Sequence, residues 1–211
     1  MTNAPTDQLW IPALMLMCGI SGYLVLLVVG GFGYITYRNR RADAPFTELG
    51  FAGRAFALQF RQYEGQWRNR AIHARWYRGP VVEFTLTLAN APTTFLGMGT
   101  RNALGNALSG LSRYTALTLT GEPFDRVMSY TEHPAWAQGI LNQPAVRTAL
   151  AELLTDEGAT ELRQINLHNG KLTFRLAYTR IFGLTADKIR RWLDLLTDIG
   201  QAIESAPTPS A

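Results

Sequence analysis

Covalent catalysis requires a nucleophile beside a base, and the chain is poor in both. Its single cysteine, Cys18, lies in an apolar run, and no Gly-x-Ser-x-Gly turn is present to expose a serine. A zinc site needs ligands in clustered spacing, yet His73, His133 and His168 are widely separated with no cysteine between them. Gly97-Met98-Gly99-Thr100, ahead of an expected helix at Asn102–Leu111, has the look of an anion-binding loop. It lacks the third glycine of a dinucleotide fingerprint and the Gly-Lys-Ser/Thr of a P-loop. Glu122 with Asp125, and Asp156 with Glu157, are carboxylate pairs at places where turns and helix ends routinely carry them. Nothing in this set calls for a cofactor or a metal. A pocket assembled by folding, from residues distant in sequence, is the one catalytic reading left open.

Arginine is where the chain departs from an ordinary composition. Formal net charge is +4, but it is unevenly placed: −1 over residues 1–37, +6 over residues 38–101 and −1 over residues 102–211. Arg38, Arg40 and Arg41 come first, and Arg61, Arg68, Arg70, Arg75 and Arg78 then interleave with Tyr63, Trp67, Trp76 and Tyr77. Arginines among aromatic rings suit anionic headgroups, a phosphorylated ligand or nucleic acid. A net charge of +4 is modest for nucleic acid, which is disfavoured. The remaining alternatives are a hairpin whose rings pack inward while its arginines face an anionic inner-leaflet lipid surface, and a dedicated anion site.

The element that would bring these arginines to a membrane is residues 10–37, which contain no Asp, Glu, Lys, Arg or His. As a helix the stretch is roughly 42 Å long at ~1.5 Å per residue, enough for a hydrocarbon core of ~30 Å. Trp10 at one end and Tyr34 and Tyr37 at the other are interfacial anchors. No basic side chain precedes the run and three arginines follow at once. The positive-inside rule therefore places residues 1–9 outside and the rest in the cytoplasm of a bacterial inner membrane, as a single-pass protein. A cleaved signal peptide would need a basic start and a shorter core. Gly19, Gly22 and Gly33 share one helix face and let a second helix approach closely.

Beyond a basic juxtamembrane linker at residues 38–47, residues 48–204 have the length of one domain, and residues 205–211 read as a frayed tail. Val82, Phe84, Leu86 and Leu88 alternate with polar residues along one strand, and Gln66–Tyr77 is its expected hairpin partner, with room for a bulge. Tyr114–Thr120 with Phe124–Thr131 forms a second pair. Glu161–Leu167 turns through Asn169-Gly170 into Leu172, Phe174, Leu176 and Tyr178 as a third. Helices are expected at Pro144–Leu154 and, behind a Thr185 cap, at Thr185–Glu204. The fold class is α+β: antiparallel hairpins with helices packed on one side.

Gly121-Glu122-Pro123-Phe124-Asp125, followed by Ser129, Pro134, Ala137, Ile140-Leu141, Arg147 and Leu150, resembles a pattern in uncharacterised bacterial single-pass membrane proteins with a cytoplasmic domain. Glu64-Gly65 and Arg78-Gly79 answer their early glycine motif, and the likeness extends over about residues 48–204. It implies the anchored architecture and no activity. Taken together, the sequence leads to a non-catalytic accessory or adaptor protein that binds a membrane or cytoplasmic protein partner. The alternative is a domain binding an anionic lipid or phosphorylated small ligand through the arginine-aromatic hairpin.

Overall fold

The computed structural model describes residues 10–57, 60–77, 81–90, 92–100, 114–121, 124–155, 159–178 and 183–209. Two compact units divide the chain, Met1–Arg41 and Ala42–Ala211. Helix α1 (Trp10–Glu48) includes a stretch of mean hydropathy 2.2, long and apolar enough to cross a membrane.

Among the described residues of the second unit nine antiparallel strands form one sheet: β1 (Ala52–Ala57), β2 (Phe60–Trp67), β3 (Arg70–Trp76), β4 (Val81–Thr87), β5 (Leu96–Thr100), β6 (Thr115–Leu117), β7 (Val127–Thr131), β8 (Ala159–His168) and β9 (Lys171–Tyr178). Their spatial order is β1-β2-β3-β4-β9-β8-β5-β7-β6, so the late β8–β9 hairpin sits between β4 and β5. Among the described residues there are three further α-helices, α2 (Pro134–Leu141), α3 (Pro144–Thr155) and α4 (Ala186–Ser205). This is an α+β fold.

The alternation that identifies β4 also fixes its register. Val82, Phe84 and Leu86 lie opposite Trp76, Ala74 and Ile72 of β3 on one side and Leu176, Phe174 and Leu172 of β9 on the other, all buried. Against this face lies α4. Its Thr185 cap accepts a hydrogen bond from the Lys188 N–H at 3.3 Å. Its stripe of Ile189, Trp192, Leu193, Leu196, Ile199 and Ile203 is buried, as the helical spacing requires. Trp192 stands edge-on to Phe84 and Phe174, each 5.9 Å away. Gly200 is what lets the helix come this close: a Cβ there would lie 2.8 Å from the Leu88 side chain. The β8–β9 hairpin turns through Asn169 and Gly170, both at positive φ, as an Asn-Gly turn favours.

Four expectations change. Residues 38–47 are helical rather than a linker, because Ala42 and Phe46, one turn apart, are buried in the domain core. The Gln66–Tyr77 segment is divided by a turn at Arg68 and Asn69, and β3 pairs with β4 without a register shift; the irregularity lies instead between Ala55 and Ala57 of β1. Gly97–Thr100 is strand β5 rather than a phosphate loop, with its backbone paired to β7 and β8. A Cβ on Gly97 would lie 2.7 Å from the Phe95 ring, so the glycine serves packing. Finally, α4 includes Ser205, and Ala206 packs against the core, so the tail begins later than residue 205. The helix expected at Asn102–Leu111 lies outside the described residues.

Candidate interaction surfaces

The arginine-aromatic hairpin is largely engaged with carboxylates of its own domain. Arg61 donates to Asp43 in a two-pronged contact, with Nε to Oδ1 at 2.8 Å, and the Tyr63 hydroxyl donates to the same Oδ1 at 2.7 Å. Phe46, one turn beyond Asp43, stacks on the Tyr63 ring at 3.8 Å and 5°. Burial, reinforced by the Asp43 contact, drives the Tyr63 hydroxyl well above its ordinary pKa. For Arg61 burial acts downward, but the hydrogen bonds to Asp43 carry it above its ordinary value. The cluster is thus a charge-assisted lock between the end of α1 and β2.

At the other end of the hairpin, Arg68 bridges Asp194 at 2.8 Å and Asp198 at 2.9 Å, one turn apart on α4. The Trp67 indole N–H donates to Asp194 at 3.0 Å. Arg70 makes a fork-to-fork pair with Glu204 at 2.6 and 2.5 Å. Glu204 also accepts from the Ala89 N–H at 2.7 Å, and its Arg70 hydrogen bonds hold its pKa below the ordinary carboxylate range. The shallow recess lined by Arg68, Arg70, Gln201 and Glu204 therefore presents cations and carboxylates already matched to one another.

Arg75 is different. It is exposed on the sheet face opposite the helices, beside Gln62 of β2 and Glu83 of β4. Arg78 lies outside the described residues. Arg38, Arg40 and Arg41 occupy the later part of α1, where the Arg41 guanidinium sits 5.6 Å from the Tyr37 ring. Around Gly19, Gly22 and Gly33 there is open space for a Cβ, and the span around them is exposed. Folding thus joins Arg61, Arg68 and Arg70 to helix carboxylates and leaves the glycine face uncovered among the described residues. The histidines lie on different elements: His73 is on the open sheet face, 3.9 Å from Glu64, His133 precedes α2, and His168 ends β8.

The open face is polar and continuous from strand to strand. One row runs Arg54, Gln62, Arg75, Glu83, Arg175 and Gln164 across β1, β2, β3, β4, β9 and β8, with Tyr77 beside it under Arg175 at 5.6 Å. Among the described residues, the large exposed hydrophobic side chains all lie between Leu14 and Tyr37.

Asp43, Asp194, Asp198 and Glu204 were missed as partners of the arginines. The only trace in sequence is the four-residue spacing of Asp194 and Asp198 on the polar side of an amphipathic helix. The residues that carry the family resemblance also meet: Arg147 of α3 donates to the Thr120 carbonyl at 2.7 Å and covers the buried Phe124 ring at 4.8 Å. Their role here is to join α3 to the turn before β7.

No family model and no curated protein matches the chain. Among solved structures it is similar in fold to the mycobacterial trehalose monomycolate transport factor A, TtfA, at a TM-score of 0.59 and 12% identity. The likeness covers 82% of this chain and 98% of that one, and at this identity it concerns the fold.

Proposed function

We propose that this chain is a non-catalytic, membrane-anchored accessory or adaptor protein whose domain binds another protein. Residues 10–37 span a bacterial inner membrane, residues 1–9 lie outside, and the domain faces the cytoplasm. The observation that carries the reading is one helix of spanning length joined to a domain with the fold of a protein named as a transport factor. From that neighbour we take the accessory role alone: the partner is a component of a membrane transport assembly. The internal matching of Arg61, Arg68 and Arg70 supports a protein-binding role over an anion site, because ion-paired guanidiniums must first give up a carboxylate to take a ligand.

The test is crosslinking in living cells followed by mild-detergent purification and measurement of stoichiometry. One partner at fixed ratio is expected, and recovery of the chain alone overturns the reading. For the lipid alternative, Arg75→Glu is a cleaner probe than reversal at Arg68 or Arg70, which would break contacts to Asp194, Asp198 and Glu204. Unchanged liposome binding in the Arg75→Glu variant removes this exposed arginine from any lipid-binding role.

A further inference from the structure

Arg61, Arg68 and Arg70 are held by carboxylates of their own domain, whereas Arg40 is not. Among the described residues Arg40 is exposed and makes no hydrogen bond or ion pair. No acidic residue occurs between Asp7 and Asp43, and Asp43 itself is engaged by Arg61 and Tyr63. Arg40 closes one end of a groove of about 610 Å³ on the surface of α1. At about 100° per residue, Val29, Gly33, Thr36 and Arg40 fall along one line of the helix, with Phe32 to one side and Tyr37 to the other. Gly33 adds no side chain to this line. The Thr36 hydroxyl donates to the Phe32 carbonyl at 2.9 Å, so the one polar atom on the floor is already satisfied. Phe32 and Tyr37 are exposed rings that flank the floor, and the other end of the groove is reached at Val28 and Val29.

Length and charge together select what fills it. From Val28 to Tyr37 the rise is roughly 14 Å at ~1.5 Å per residue, close to one leaflet of a ~30 Å hydrocarbon core. Arg40 lies about 4.5 Å further on, beyond the ring that sits at headgroup level. A second helix would need a seam of small residues continuing over several turns. Here Leu26, on the same line and exposed, stands between Gly22 and Gly33. A second copy of α1 would also bring no acid to Arg40, since none precedes Asp43 in the run. A phospholipid satisfies both ends at once, with an acyl chain on the apolar floor and a phosphate on the guanidinium.

We propose that this groove binds one anionic phospholipid of the cytoplasmic leaflet, its acyl chain between Phe32 and Tyr37 and its phosphate on Arg40. The inference rests on the reading that residues 10–37 span the membrane with the domain in the cytoplasm, and it is independent of the protein partner. The Arg41 guanidinium, 5.6 Å from the centre of the Tyr37 ring, adds positive charge at the same depth. The anchor therefore prefers membrane regions rich in anionic lipid.

The experiment reconstitutes the full chain in nanodiscs of equal phosphatidylglycerol and phosphatidylcholine, releases it in a native mass spectrometer and counts the lipids retained. One phosphatidylglycerol per chain is expected. Arg40→Gln is expected to lower that retention about fivefold, with an unchanged thermal melt, and Arg40→Lys to keep most of it. Gly33→Leu fills the floor and should abolish retention, whereas Gly19→Leu, with the same open space but outside the groove, should leave it intact. Equal retention of the two lipids, or no change in Arg40→Gln, means an unselective lipid shell and overturns the site. In living cells p-benzoylphenylalanine at Phe32 is expected to label lipid, and a protein adduct there overturns the choice of occupant. Alkaline carbonate extraction keeps the two readings apart. A chain that stays in the membrane yet retains no lipid loses the groove alone, and a chain released by carbonate loses the spanning reading and the groove with it. Digestion of the domain by protease added to intact spheroplasts overturns the orientation and, with it, the leaflet.

Discussion

Replacing Phe46 by alanine separates two accounts of the segment after the apolar run. If residues 38–47 were a solvated linker, the change would alter domain stability by no more than about 0.5 kcal/mol. In the structure Phe46 is 2% exposed, stacked on Tyr63 at 3.8 Å, 6.1 Å from Phe84 and edge-on to Phe51 at 6.3 Å. Truncating a phenylalanine in such a site costs about 3–5 kcal/mol, from lost transfer energy and the cavity left behind. For a domain of this size that lowers Tm by about 6–20 °C. Loss of the stack also loosens the ring that positions the Tyr63 hydroxyl on Asp43, which places the effect toward the upper end. The assay is urea unfolding of the detergent-solubilised full chain followed by tryptophan fluorescence. Trp192 reports directly, being wedged between Phe84 and Phe174. Glu48→Ala, at an exposed position of the same helix, is the control. A Phe46→Ala midpoint indistinguishable from that control would refute the claim that α1 ends inside the core.

Three other outcomes are expected. Gly200→Ala pushes α4 off Leu86 and Leu88 and destabilises by about 1–3 kcal/mol, whereas Gly139→Ala, with open space around it in α2, stabilises by up to about 1 kcal/mol; thermal melts of the pair should move in opposite directions. Stability should decline on acidification as the Glu204–Arg70 pair is lost. The folded Glu204 pKa is lowered, so the unfolded chain binds the proton first. The contribution is then complete above the ordinary carboxylate value of 4.5 and disappears as pH falls through the lower folded value, a dependence that Glu204→Gln should flatten. Replacing Gly22 and Gly33 by leucine should abolish any helix association through the glycine face, and unchanged crosslinking between copies or with a partner helix would remove that face from consideration.

Elements with a strong local pattern could be read from sequence. The alternation of β4, the Asn-Gly turn of β8–β9 and the apolar stripes of α3 and α4 each encode their partner face within a few residues. Elements defined by tertiary packing could not. Ala-Asp-Ala-Pro-Phe at residues 42–46 has the composition of a connection, and its helical state depends on Tyr63 and Arg61 being present beneath it. Strand β1 lacks alternation and β-branched residues, and β5 carries two glycines, so neither declares itself. The arginine cluster was visible as a set of residue types, but its meaning was not. Arg68 and Arg70 find their carboxylates 130 and 134 residues away, and no spacing rule operates over that distance.

The insertion of β8–β9 between β4 and β5 also constrains how the protein is made. When the ribosome has produced β1–β4, the inner edge of β4 has no partner, and Thr85 must await Thr173, 88 residues later. At about 5–20 residues per second this delay is about 4–18 s. For that time Val82, Phe84 and Leu86 stand on a strand paired to β3 alone, without the helix that will cover them. A nascent chain in this state exposes apolar surface and an open strand edge, which makes it prone to aggregate. Truncations ending before Lys171 should aggregate, even one that retains all eight described strands that precede β9.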